Sequence, residues 1–572
     1  MDLSVLRHSC AHIMAQAVKE LWPQAKLAIG PSIEDGFYYD FDKKEPFSED
    51  DLAKIEKKML EIVNKDEPFV RQELDRQEAG DLFRQMQEPY KVELINALGD
   101  NSVSLYKTGN SFLDLCRGPH VNSTGQVKVF KLLSVAGAYW HGIETNPMLQ
   151  RIYGACFETK QELDQYLNNL EEAKKRDHRK LGPALGLFDI YHDKAGAGLV
   201  FYHPKGAVLR RIIEDYEKDE HLKRGYQMVI TPHIMRQELW QTSGHYEFYR
   251  QNMYTFKIED KEFVLKPMNC PGHILIYKSS LRSYRELPMR LFELGTVYRH
   301  ERSGVLHGLL RVRGFTQDDA HIFCTSEQLK EEIKKIVDFV FLTMRDFGFN
   351  DVSIELSTRP KDSIGRDDDW RRATSALEDS LKEKGLPYDI NEGDGAFYGP
   401  KIDIKLKDAL KRKWQCATIQ CDFALPGRFD LKYVDNEGKE KRPVMLHRVI
   451  LGSLERFLGA LVEHYAGAFP LWLAPAQAMI IPIRKEDEGY AAGIKEKLLA
   501  EGIRVDLDCG NETLTKRIRN AELARYPYII ITGQKEAQAQ KIAVRKRGAG
   551  DQGQTGVDEF IAKIREEIKN KS

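Results

Sequence analysis

Residues 297–324 read Val297-Tyr-Arg-His-Glu-Arg-Ser-Gly-Val-Leu-His-Gly-Leu-Leu-Arg-Val-Arg-Gly-Phe-Thr-Gln-Asp-Asp-Ala-His-Ile-Phe-Cys324, and polar side chains recur at alternate positions over the second half. Successive side chains of a strand point to opposite faces, so Arg311, Arg313, Gln317, Asp319 and His321 share one face while Val312, Ala320 and Ile322 take the other. A face carrying guanidinium, amide, carboxylate and imidazole groups is built to hold a polar ligand. A merely solvated edge hairpin would show Lys and Glu, with little Gln or His.

Residues 183–472 alternate helices with strand-like stretches at 263–265, 291–298, 311–324, 352–356, 401–406 and 414–425, and the strands outnumber βαβ units. That pattern predicts an antiparallel sheet with helices against it. Upstream, apolar residues at Leu6, Cys10, Ile13, Ala17 and Leu21 predict a helix over 3–22, ended by Pro23, with His8 and His12 one turn apart and opposite the apolar stripe, where a cleft rather than a core is expected. Residues 1–159 read as one α+β domain, and 160–182 as a linker helix with a basic tail, stopped by Gly182-Pro183. From 473 to 572 strands at 478–483, 505–507, 528–531 and 542–545 interleave with helices at 490–501, 514–524 and from 557, a small α/β module.

Composition is that of an ordinary globular chain: 42% hydrophobic, with 86 basic against 87 acidic side chains for a net charge of −1. Any polyanion must therefore be met by local clusters. No apolar run approaches the ~18 residues that would span a bilayer. The first 23 residues lack the order of a signal peptide, and eight cysteines without a regular framework suit a reducing compartment. A cytoplasmic chain without membrane partners is expected.

Arg299 and Arg311 stand on the two arms of the 297–324 hairpin, and Arg456 opens a helix after 446–451, so three guanidinium forks can converge on one triphosphate. Phosphoryl and nucleotidyl transfer depend mostly on positioning and charge neutralisation, and no P-loop or dinucleotide fingerprint competes for that role.

The Tyr-Arg-x-Glu hairpin, its Gly-Phe-x-Gln-x-Asp strand and the distant Gly-x-x-x-Arg resemble motifs two and three of class II aminoacyl-tRNA synthetases, and residues 225–232 resemble motif one, the dimer interface of that class. Met268-Asn-Cys-Pro-Gly-His273, the 313–323 stretch, Gly395-Ala-Phe-Tyr-Gly-Pro-Lys401 and Leu446-His-Arg-Val-Ile-Leu-Gly-Ser-Leu-Glu-Arg-Phe457 look like the blocks of the threonyl-tRNA synthetases, and the resemblance runs from about Leu3 to the C-terminus. It implies an α+β multidomain chain: an N-terminal editing domain, a class II antiparallel sheet with flanking helices, and an α/β anticodon-binding domain. It implies ATP with Mg²⁺, threonine and tRNA(Thr) as partners, and a homodimer.

The same resemblance implies one zinc ion on Cys270, His321 and His447, with coordination positions left open for threonine's amino and hydroxyl groups. It sets ATP among Arg299, Arg311 and Arg456. Around the substrate it sets Gln317, Asp319, Tyr398, Lys401, Gln415 and Gln420, with Asp319 and Tyr398 on the ammonium side and Lys401 and Gln317 on the carboxylate.

A site that selects a hydroxyl rejects serine weakly, because one methyl is worth only ~1–3 kcal/mol. The resemblance accordingly maps an editing site for Ser-tRNA onto His8, His12, Cys116 and His120, with Lys91 and Asp114 as pocket residues. The same four ligand types could bind a second zinc. Arg525, Glu536 and Arg545 match positions facing anticodon bases. Members commonly begin with a small ubiquitin-like domain; here Met1 stands almost at the editing helix, so either the lineage lacks that domain or the sequence begins after it. A non-catalytic RNA-binding paralogue would be expected to lose an ATP arginine or a zinc ligand, and none is missing. A stand-alone zinc hydrolase centred on His8, His12, Cys116 and His120 would leave 400 residues unexplained.

Overall fold

The structure, a computed structural model, describes residues 2–110 and 112–571. The chain divides into two compact units, Met1–Glu171 and Glu172–Ser572.

The first unit is built on the helix Leu3–Leu21, whose N-terminus is capped by Asp2 accepting from the Ser4 N–H. It packs against the helix Glu49–Lys65, itself started by a Ser48/Asp51 capping box, and against the antiparallel strands Gly36–Asp42 and Met148–Phe157, while the second helix covers the next strand, Val129–Tyr139. A smaller antiparallel sheet joins Phe69–Asp75, Ser102–Thr108 and Phe112–Leu115. The histidine face of the first helix looks into a cavity, as expected, but is more enclosed than the apolar stripe alone suggests. Ser9, Cys10, Ala11, Ala15 and Ala17 are small enough to let neighbours close on every side, so Leu6 to Val18 is buried almost throughout and His12 is 2% exposed.

The second unit holds an eight-stranded sheet in the order Gln227–Met228, Met289–Tyr298, Gly314–Cys324, Val444–Val449, Lys413–Asp422, Lys401–Lys407, Val352–Ser357, Asp389–Asn391. All pairings are antiparallel except the two edge ones. One face buries Ala320, Ile322, Ile402, Ile404, Ala417, Ile419 and Leu446 in a core with the helices Leu329–Asp346, Asp367–Glu383 and Leu454–His464. The alternation that puts these residues on the helix side puts their polar neighbours on the other.

The strand read from 311 begins at Gly314, because the ladder ends at the Tyr298–Gly314 pair and residues 299–313 close as a loop through Arg299 N–H to Arg313 O. The linker region is two helices, Lys160–Arg176 and His178–Ala184, and the second runs through Gly182-Pro183 instead of stopping there. The Phe188 ring lies 2.2 Å from where a Cβ of Gly182 would stand, so glycine permits this packing.

The C-terminal part carries a five-stranded sheet: Val505–Leu507, Ala478–Pro482 and Tyr528–Thr532 are parallel, and Lys541–Lys546 and Gly550–Gly556 continue it antiparallel. Its last strand and the helix Gln534–Ala539 are additions to the elements read from sequence. Among the described residues no helix is long and apolar enough to cross a membrane.

Candidate functional site

The polar face of the large sheet forms the floor of a cavity of about 320 Å³. Gln317, Asp319 and His321 reach it from one strand, Gln415, Thr418 and Gln420 from another, and His447 from the strand between them; Cys270, Arg299, Tyr398 and Arg456 complete the wall. Antiparallel register sets His321 directly opposite His447, and His447 opposite Gln420, which closes sequence separations that no local pattern reveals. Cys270 opens the helix Cys270–Lys278, and its sulfur and one nitrogen each of His321 and His447 lie within 4.8 Å of one another, all three residues buried. His321 Nε2 is 3.1 Å from His447 Nδ1, and Asp422 Oδ2 accepts from His447 Nε2 at 2.9 Å.

Asp319 accepts from the Asn269 amide at 3.0 Å; burial raises its pKa against the opposing pull of His273 and Asn269. Tyr398 donates to Gln420 Oε1 and stands 4.9 Å, ring to ring, from His447. Arg299 lies over the Phe315 ring and donates to Pro267 O. Arg456 rises from the start of the helix Leu454–His464, which Ser453 caps by accepting the Arg456 N–H, and donates to Leu310 O at 3.2 Å and Gln415 O at 3.4 Å. Burial, then Arg299 and Arg311, hold the Arg456 pKa below the usual guanidinium value, so the pocket concentrates positive charge that it does not fully neutralise.

Two expected members stand elsewhere. Arg311 belongs to the loop ahead of the strand, is 53% exposed in its side chain and pairs with Glu301 at 3.0 Å, so it does not line the cavity. Lys401 also lies off the wall, paired with Asp403 at 2.9 Å and Asp394 at 3.0 Å; burial opposes its charge, but the two carboxylates outweigh that and raise its pKa. Gln415 faces the cavity while its amide donates to Asp403.

Sequence reading missed the residues behind this wall. Asp422, His273 and Glu293 back the two histidines, and His245 Nε2 approaches Cys270 Sγ at 3.7 Å with its pKa lowered to about 3, chiefly by burial. His273 sits in the quoted 268–273 block; nothing local marks the others.

The first unit contains a second cavity, about 870 Å³, reached by His8, His12, Lys91, Asp114 and Cys116. His8 Nε2 is 2.9 Å and His120 Nε2 3.3 Å from Cys116 Sγ, and the His8 and His120 rings stack 4.5 Å apart. His120 packs behind this group with its Nδ1 against Ser9 Oγ. Burial lowers the pKa of all three imidazoles and pushes the Cys116 thiol up to about 12, so this cluster is neutral near pH 7. Lys91 and Asp114 form a buried ion pair at 2.5 Å, and Tyr39, missed from sequence, bridges them by donating to Asp114 at 2.6 Å and accepting from Lys91 at 2.9 Å.

In the C-terminal part Arg525 follows the helix Leu514–Leu523, and Arg545 lies on its strand, 3.8 Å from Glu522. Glu536 spends its carboxylate internally, accepting from the Gly533 N–H and the Gln554 amide.

The antiparallel sheet with arginines on its polar face, beside an open cavity, is the arrangement of a class II aminoacyl-tRNA synthetase, and residues 254–465 match the tRNA synthetase class II core domain (G, H, P, S and T). Residues 477–567 match the anticodon binding domain, and 103–153 the threonyl and alanyl tRNA synthetase second additional domain. A threonine–tRNA ligase of Citrifermentans bemidjiense is 58% identical over 568 residues, 99% of this chain and 89% of the relative. The crystal structure of the RNA binding domain of threonyl-tRNA synthetase from Cryptosporidium parvum Iowa II is similar with a TM-score of 0.66 at 44% identity, covering 68% of this chain and 98% of that one. A threonyl-tRNA synthetase structure from Aeropyrum pernix gives 0.61 at 30%, covering 70% and 97%. The chain belongs to the threonyl-tRNA synthetase family, and its activity is the ATP-dependent ligation of threonine to tRNA.

Proposed function

We propose that the sheet cavity is where threonine is activated, with residues 183–472 as the ligase domain, 1–159 as an editing domain, 160–182 as the linker and 473–572 reading the anticodon. The observation that carries this reading is the buried Cys270, His321 and His447 cluster beside the Asp319 carboxylate, in the same cavity as Arg299 and Arg456. Class II synthetases use ATP with Mg²⁺. Arg299 and Arg456 hold the phosphates and neutralise the charge that develops on transfer; Arg311 joins them by leaving Glu301 as the loop closes. Asp319, with Tyr398, receives the substrate ammonium. Gln317 orients the carboxylate, Lys401 exchanges an aspartate partner for it, and Gln415 and Gln420 shape the wall.

Zinc fits the trio. Asp422 is an acceptor that directs the bare Nδ1 of His447 inward, towards a sulfur and a second imidazole nitrogen. When bound, zinc supplies open positions for the amino and hydroxyl groups of threonine. Valine lacks the second group. Serine has it, and the first-unit cavity removes the error: neutral His8 or His12 orients water towards the ester, and Lys91 stands near the developing oxyanion, with Cys116, His120 and Asp114 fixing them. Arg525, Glu536 and Arg545 contact anticodon bases.

The protein works as a cytoplasmic homodimer. Around the edge strand Gln227–Met228, Leu222, Met228, Ile230 and Ile234 are exposed, Ile230 by 83%, an apolar surface suited to a second copy. Threonine-dependent ATP–pyrophosphate exchange, with valine and serine as competitors, tests the site. Equal activation of valine and threonine would overturn the hydroxyl reading.

A further inference from the structure

His321 Nε2 and His447 Nδ1 face each other at 3.1 Å inside a buried site, and which of them carries hydrogen is decided by what lies behind. Asp422 receives the N–H groups of Ala424 and Leu425 on one oxygen and His447 Nε2 on the other, so it acts purely as an acceptor. His447 therefore carries its hydrogen on Nε2 and presents a bare Nδ1.

The other imidazole is governed by a longer chain. Glu293 accepts from the Lys266 ammonium at 2.9 Å, the Thr231 N–H at 3.0 Å and the Thr231 hydroxyl at 2.8 Å. Against its burial, the hydrogen bonds from His273, Thr231 and Lys266 bring the Glu293 pKa to about 2, so it too is an ionised acceptor. It faces His273 Nε2 at 3.1 Å, which puts a hydrogen there, and His273 Nδ1 then meets His321 Nδ1 at 2.8 Å. Two bare nitrogens cannot make that contact, so one of the rings donates through Nδ1. With a cation held on Nε2, His321 is that donor: its hydrogen stands on Nδ1, His273 Nδ1 accepts it, and the bare Nε2 joins the bare Nδ1 of His447 beside Cys270. A doubly protonated His273 would instead donate to His321 Nδ1 and put the His321 hydrogen on Nε2, towards His447.

We infer that His273 and Glu293 are positioning residues for the metal ligand His321: a carboxylate–imidazole–imidazole chain, anchored by Lys266 and Thr231, that sets the ligand's tautomer and aims Nε2 at the site. The inference rests on the zinc reading above. Outer partners of this kind are worth roughly 10–100-fold in metal affinity.

The test uses the full-length protein, with zinc content and the rate of zinc loss to a chelator as readouts and thermal unfolding in parallel. His273→Gln can still donate to Glu293 but offers His321 no acceptor at the Nδ1 position. His273→Asn places an amide oxygen there and loses Glu293 instead. The parent is expected to hold zinc most tightly, His273→Asn to release it faster than the parent because Glu293 no longer fixes the acceptor, and His273→Gln to release it fastest, about 10–100-fold beyond the parent. His273→Asn loses the larger buried partner, so damage to the fold would give the opposite order. Parent-like retention by His273→Gln, or equal loss by both variants, overturns the inference while the zinc reading stands. A parent protein without zinc removes that reading, and this one with it.

Discussion

Arg456→Ala removes a charge that the empty protein holds against repulsion. In the absence of ATP the guanidinium donates to two carbonyl oxygens, at 3.2 and 3.4 Å, each bond to a neutral acceptor worth about 0.5–1.5 kcal/mol and the longer one at the bottom of that range. Burial and the fields of Arg299 and Arg311 act in the opposite direction, as its depressed pKa records. These effects nearly cancel, so stability should change by about 1 kcal/mol or less, a Tm shift of no more than roughly 2–4 °C in a unit of this size. With a triphosphate in the cavity the balance differs. Two charge-assisted bonds at about 1.5–3 kcal/mol each, partly offset by solvent and by the remaining arginine, leave a loss of about 3–4 kcal/mol. At about 1.4 kcal/mol per factor of ten, that is a fall of roughly 10²–10³ in adenylate formation. Pyrophosphate exchange at saturating threonine, beside a melting curve, measures both quantities. Exchange within about fivefold of the parent, or a Tm loss well beyond the stated shift, would refute the claim that the group acts on phosphate and not on the fold.

Cys270→Ser should lower zinc content together with threonine activation, checked by metal analysis and exchange on the same preparation; full activity in chelator would sink the metal reading. The double change His8→Ala with His12→Ala should slow deacylation of preformed Ser-tRNA(Thr), and parent-like rates would remove these histidines from editing. Cys116, with its thiol pushed up to about 12 by burial, forms thiolate only as pH approaches that value, so alkylation of native protein at pH 8 should spare it and label the exposed Cys509. Peptide mapping reads this directly. Ile230→Asp should shift sedimentation from dimer to monomer; an unchanged profile would point to another interface.

The parts legible in sequence were those with a short period. Gln317, Asp319 and His321 do share the cavity face because side chains alternate along a strand, and the same alternation explains the error at Arg311 and Arg313. Polar residues continue at every second position into a loop whose partners are backbone carbonyls and Glu301, and alternation carries no record of where ladder hydrogen bonds stop. His8 and His12 do face a cleft, as their place opposite the large apolar residues suggests, but His12 is almost fully enclosed in it because the small residues of the helix let neighbours approach closely. Lys401 is set on the substrate carboxylate by resemblance, and its ion pairs with Asp394 and Asp403 are no part of that motif. Cys270, His321 and His447 could be joined only through resemblance, since their proximity comes from strand register between segments 126 residues apart in the case of the two histidines. Gly550–Gly556 went unread because a glycine-rich polar stretch carries no β signal, and its strand conformation comes from pairing with Lys541–Lys546.

His178 has a practical consequence for anyone who wishes to cut this chain. Its Nδ1 donates to Glu463 at 2.6 Å, at the far end of the helix that Arg456 begins, and its Nε2 accepts the Leu309 N–H at 3.0 Å, in the loop that carries Arg311. Gly308 leaves the ring its room, since a Cβ there would stand 2.2 Å from Nε2. A ligase fragment begun at residue 183 would remove both donors to Glu463 Oε1, leaving that carboxylate to Arg412 on its other oxygen, and would leave the Leu309 amide without its acceptor in the loop that carries Arg311. One begun near Glu172 keeps both satisfied. For dissection, fusion or circular permutation, the usable seam therefore lies before the basic run of the linker, and those residues belong with the ligase they precede.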